Sequence, residues 1–345
     1  MSVSQNSLVE GQSAEQHSFA FRISLAASIG FTLGYLLGWD FPFLPSLLAV
    51  QLLAARRFLD LKHALGFVAL MAVGCIFSLL IALIFIDRPL DFALVIALIV
   101  FLEFLALARG KSAAGIFLIT TSFVPLMAVS SLELAYALVH DLIVGSILAV
   151  LLTFLVHALF PAHSVGEQAL PNAIEESSPV RAALANAAVL MSLFVYFMGS
   201  GTPTSIIVIM TTAITILQQS AIAGKGAALG LFMGNVVGGF AAAVAYLLIS
   251  LLPAPAFLFL VVFLFGLLFG AKIAAGADMA PIYTVATATF LVVLGLGLSP
   301  LPQDSGTLFV SRVWTVAVAS LYTVGVASVL RALFLESIAN SARTS

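Results

Sequence analysis

Charge is what this chain has least of. Asp, Glu, Lys and Arg make up 8% of its 345 residues, hydrophobic residues make up 62%, and the mean hydropathy is +1.21. No water-soluble domain of this length carries so little charge, so composition alone predicts an integral membrane protein. The net charge of -2 and a pI near 6.2 favour no charged partner, and without a basic stripe a nucleic-acid role has no support. Cys75 is the single cysteine, which excludes a disulfide within the chain. No Gly-x4-Gly-Lys-Ser/Thr loop occurs, which excludes direct coupling to ATP through such a loop. His17, His63, His140, His157 and His163 are scattered, and His140 and Asp141, adjacent in sequence, lie on different helix faces. No metal site, cofactor or nucleophile constellation follows, and no enzyme is expected. The polar opening, Met1 to Ala20, carries Glu10 and Glu15 and lacks the pattern of a signal peptide, so the first span is expected to direct insertion.

What is present is apolar run after apolar run. A bilayer core needs about 20 apolar residues per helix. With charges and Pro/Gly clusters as boundaries, the first half gives spans at Phe21 to Leu37, Phe41 to Ala55, Ala64 to Ile86, Leu90 to Ala108, Ser112 to Val129 and Leu134 to Phe160. The second gives Ala182 to Met198, Thr204 to Gln219, Gly226 to Leu252, Ala256 to Ala271, Met279 to Leu298 and Leu308 to Phe334. The runs are continuous rather than alternating, which argues against barrel strands. With a cytoplasmic N-terminus, eleven of the thirteen basic residues fall on the cytoplasmic side, Arg88 and Arg312 being the exceptions. One missed helix would have inverted that bias.

The chain also reads as doubled. Lys111-Ser-Ala-Ala-Gly115 returns 161 positions later as Lys272-Ile-Ala-Ala-Gly276, although lysine is nearly absent. Lys62 to Gly66 is answered by Lys225 to Gly230, Arg22 to Ala26 by Arg181 to Ala185, and Val156 to Phe160 by Leu330 to Phe334. The expected fold is an all-α integral membrane protein of twelve transmembrane helices in two parallel six-helix repeats. Residues 1–20 form a cytoplasmic tail, 21–160 the first repeat, 161–180 a cytoplasmic linker, 181–334 the second repeat and 335–345 a cytoplasmic tail.

A few residues stand out against the apolar background. Pro42 and Pro45 lead into the second span and Pro203 and Thr204 into its counterpart. They either start two helices at the interface or mark broken backbone along a substrate path. Gly226, Gly230, Gly234 and Gly238 repeat every four residues, as a helix packing seam does, and Asn235 beside them is interhelical glue or a ligand contact. Glu103 lies six residues before Arg109, about 9 Å into the membrane. It is either the proton-coupling carboxylate or a structural residue bonded to a neighbouring helix, with Leu264 as its counterpart at the 161 step. Asp141, two turns into the sixth span, and Arg312, opening the twelfth, are candidates for a charge-paired gate, while Asp278 reads as interfacial. Lys111 and Lys272 either anchor orientation or form a positive vestibule for an anionic substrate.

Arg22 to Gly30, the small-residue turn Lys111 to Gly115, and the stretch from Arg312 to Ser320 and on to Arg331 to Phe334 resemble the fusaric acid resistance and aromatic acid exporter superfamily, which includes plant aluminium-activated malate channels. The resemblance implies six-helix membrane units and, for bacterial members, proton-driven export of aromatic carboxylates or other toxic organic acids across the inner membrane, often with a periplasmic adaptor protein. A departure is the 19-residue connector, where many members carry a large cytoplasmic domain. The expected function is therefore an inner-membrane secondary exporter of small organic acids, with protons, the substrate and the lipid bilayer as partners. A homo-oligomer is compatible with it. The alternatives are a passive anion channel of the same fold and a membrane enzyme or scaffold subunit without transport.

Overall fold

A computed structural model describes residues 2–54, 60–111, 113–161, 179–200, 227–276 and 280–299. Among them are ten helices and no strand: α1 Ser2–Leu36, α2 Leu44–Ala54, α3 Leu61–Phe85, α4 Pro89–Ala108, α5 Ala114–Ser130, α6 Leu132–Leu159, α7 Pro179–Ser200, α8 Ala227–Leu251, α9 Pro255–Ala275 and α10 Ala280–Leu298. Eight of them, all but α2 and α5, hold a stretch long and apolar enough to cross a membrane. The chain is a multi-pass membrane protein whose regular structure, among the described residues, is all helix. The eighth and twelfth expected spans and the inter-repeat linker lie outside the described residues.

Local chemistry explains where the helices stop and start. Pro89 and Pro255 open α4 and α9, where proline's missing N–H costs nothing. Gly38 and Gly110 end α1 and α4 in the left-handed conformation, at φ 69° and 80°. At both ends the glycine and the residue after it donate back into the last turn, Gly110 to the Leu107 carbonyl and Lys111 to that of Ala106. The first helix begins at Ser2 rather than near Phe21, because nothing in residues 2–20 breaks it. Eleven residues give α2 a length of only about 16 Å, roughly half a bilayer core of about 30 Å.

The helices sort into two compact units. The first contains α1, α2, α6 from His140, α8 from Met233, α9 and α10; the second contains α3 from Ala69, α4, α5 and α7. In the first, α1 lies along α9, and α2 and α10 pack beside them. Small residues permit the approach: a Cβ on Gly266 would stand 3.0 Å from the Ser24 Cα, and one on Gly270 3.0 Å from the Ala20 Cα. Gly234 and Gly238 of the expected ladder meet α10 at Ile282 and Ala286. In the second unit α4 packs on α7 and α5, with Phe92 against Phe194 at 6.0 Å.

A single step of 166 positions relates helices of the two units. It carries Leu61 to Ala227, Phe85 to Leu251, Pro89 to Pro255 and Ala114 to Ala280, all helix ends. On α4 and α9 it also matches the faces: buried Phe92, Ile96, Val100, Glu103 and Phe104 fall on buried Leu258, Val262, Gly266, Phe269 and Gly270. Exposed Leu94, Leu98 and Leu102 fall on exposed Leu260, Leu264 and Leu268. The step of 161 read from the lysine motifs does not hold here, since Lys111 lies beyond the end of α4 and Lys272 in the last turn of α9. On the 166 step Glu103 falls on Phe269, where the 161 step gives Leu264.

Candidate functional site

In the second unit three helices meet at one carboxyl, which α4 carries and which hydroxyls of α5 and α3 approach in turn. Glu103, on the buried face of α4, is 8% exposed. Thr121 of α5 donates its hydroxyl to Glu103 Oε1 at 2.8 Å, and Ser78 of α3 stands 3.4 Å from the same Thr121 oxygen. Glu103 Oε2 and the neighbouring Ser122 hydroxyl are buried without a hydrogen-bond partner. Pro125, one turn on in α5, has no N–H to offer the Thr121 carbonyl, so the helix is short of a bond at the level of the carboxyl. The pattern was legible in Thr120-Thr121-Ser122 ahead of Pro125, a polar triplet and a helix interruption inside one apolar run, but the sequence reading passed over it.

No cation among the described residues pairs with Glu103; the ion pairs found lie at Arg22 with Glu15 and at His140 with Asp141. A lone carboxylate in apolar surroundings is costly enough that it takes up a counter-ion or a proton. The place 166 positions on has different chemistry. Phe269 there joins Phe265, Tyr283 and Phe290 in an aromatic cluster with ring centroids 5.1 to 6.3 Å apart. Thr287, one step of 166 from Thr121, turns its hydroxyl back to the Tyr283 carbonyl of its own helix at 2.7 Å.

Asp141 serves a different purpose. It is 3% exposed, and its Oδ2 accepts the Phe41 backbone N–H at 3.1 Å. Its Oδ1 lies 3.0 Å from His140 Nδ1, while His140 sits edge-on to Trp39. Ser299 donates to the Asp40 carbonyl at 2.6 Å. Asp141 therefore anchors the turn holding buried Pro42 and Pro45 at the start of α2. Its expected partner Arg312 lies outside the described residues, as do Pro203, Thr204 and Asp278. Asn235 accepts the Thr289 hydroxyl and ties α8 to α10. Lys111 and Lys272 are exposed and lie in different units. Arg22, part of a repeat motif and of the basic-residue bias in the sequence, is buried, pairs with Glu15 on α1 and lies 5.8 Å from the Phe19 ring.

A family described as "Protein of unknown function (DUF2955)" matches residues 19–156, from within α1 to near the end of α6, less than half of the chain. No curated protein and no solved structure matches.

Proposed function

We propose that the chain is a proton-driven secondary transporter that exports small organic acids across a bacterial inner membrane, built as twelve helices in two six-helix repeats with both termini cytoplasmic. The observation that carries the coupling is Glu103, a buried carboxyl bonded through one oxygen and free at the other. Such a group takes up and releases a proton at little structural cost, because Thr121 bonds either form through Oε1. The substrate class rests on the resemblance to the aromatic acid exporters alone.

The repeat is supported by the common step of 166 and by how the helices pair. Contact of α1 with α9 answers contact of α7 with α4, and α9 with α10 answers α4 with α5. Every described helix of one unit that has a described counterpart finds it in the other unit. Each unit thus draws on both halves of the chain, as an intertwined duplication does. The matched family segment, ending near the close of α6, agrees with a six-helix ancestral unit. Flux of organic acids into proteoliposomes, with and without a pH gradient, tests the reading: gradient-driven uptake supports it, gradient-independent conductance makes the protein a channel, and no flux removes transport altogether.

A further inference from the structure

We propose that Glu103, Thr121 and Ser78 form a binding site for a monovalent cation of sodium size, which competes there with the proton. Every group in the cluster offers oxygen lone pairs. Oε2 of Glu103, in a side chain more than nine-tenths buried, has no hydrogen-bond partner. The lone pairs of that oxygen are open to a proton or to a cation. A cation draws on these and on the lone pairs that the hydrogen bonds of Thr121 and Ser78 leave over.

Spacing agrees with an ion. The Ser78 and Thr121 hydroxyls stand 3.4 Å apart, beyond the 2.5–3.0 Å of a good O–H···O bond, a spacing that neighbouring oxygens take around one small cation. Around the larger potassium ion they stand farther apart. Oxygen donors exclude a soft metal, and one carboxylate neutralises one positive charge but not two. The Thr121 carbonyl, released by Pro125, supplies a further oxygen at this level of α5. The ionisable side chains on the packed helices are Asp91 on α4 itself, Lys62, His63 and Cys75 on α3, and Arg181 and Tyr196 on α7; α5 has none. None of them is bonded to Glu103. The place 166 positions on, with Phe269 for the carboxyl, has no such site, so among the described residues one ion is expected.

The site's role in transport rests on the function proposed above; its occupancy does not. Thermal unfolding of the purified full-length protein, in sodium, potassium or choline chloride at equal ionic strength, reads occupancy directly. Sodium should raise the midpoint over both other salts in alkaline buffer, and the gain should fade in acid. Glu103→Gln should abolish it, and Ser78→Ala, which disturbs packing little, should weaken radioactive sodium binding about tenfold. Equal midpoints in sodium and choline, an equal gain in potassium, or a sodium gain kept by Glu103→Gln would each overturn the proposal. Organic-acid flux driven by a pH gradient in choline medium, with no sodium effect on unfolding, would remove the cation site and keep the transporter; sodium stabilisation without flux would do the reverse.

Discussion

Thr121 and Thr287 are the same residue type at corresponding places in two helices, yet one hydroxyl reaches a carboxyl on a neighbouring helix and the other folds back on its own turn. Thr121→Val should therefore cost about 1–3 kcal/mol, the penalty for leaving a buried polar group unpaired, while Thr287→Val should cost less than about 1 kcal/mol. Unfolding of the two variants side by side checks this. Asp141 gives a second contrast. Asp141→Asn keeps an oxygen for the Phe41 N–H, whereas Asp141→Leu strands that buried donor and should lower stability by about 1–3 kcal/mol. At this scale the sequence was informative where a charge stood alone in an apolar run: Glu103 and Asp141 were visible for that reason. The partner of Glu103 was not, because a serine or threonine in a membrane helix looks alike whether it bonds its own backbone or a neighbour, and that of Asp141 was not, because the Phe41 N–H is a backbone group that every residue type but proline carries.

Helix extents were legible because apolar runs and their Pro and Gly punctuation fix where a span begins and ends. Pro89, Pro255 and Gly110 show this directly. Helix faces were not, since a helix apolar all round has no amphipathic stripe to read. The five-residue match around Lys111 and Lys272 misled for a related reason. Gly110 ends α4 before Lys111, whereas α9 runs on past Lys272 to Ala275, so similar letters fell on different structure. Gly110 and Gly276 differ accordingly. Gly110 sits at φ 80°, so Gly110→Ala should destabilise by about 1 kcal/mol, while Gly276, in extended backbone at φ -175°, should accept Ala with little change. Thermal melts of both variants decide it. At the α1–α9 seam, Gly266→Leu and Gly270→Leu should force the helices apart and abolish cross-linking between cysteines placed at Ala20 and Phe269, which remains intact in Leu264→Ala on the exposed face.

For the whole molecule, we propose a duplicated helical scaffold with a coupling group in one of its two copies. A scaffold that pairs α1 with α9 and α4 with α7 offers two corresponding places at the carboxyl's level, one holding Glu103 and the other Phe269 within an aromatic cluster. Composition made the membrane class plain, and the lysine motifs pointed to the proposed duplication, though at a step of 161 rather than 166. The exchange of helices between units was hidden, because it depends on contacts between segments more than a hundred residues apart. The most direct test of the central claim is pH-gradient-driven organic-acid flux in proteoliposomes carrying Glu103→Gln. Gln keeps the side chain's shape and the oxygen that Thr121 bonds but cannot titrate, so the variant should insert, fold and bind substrate while its transport loses all dependence on the gradient; full gradient-driven flux in Glu103→Gln would contradict the account.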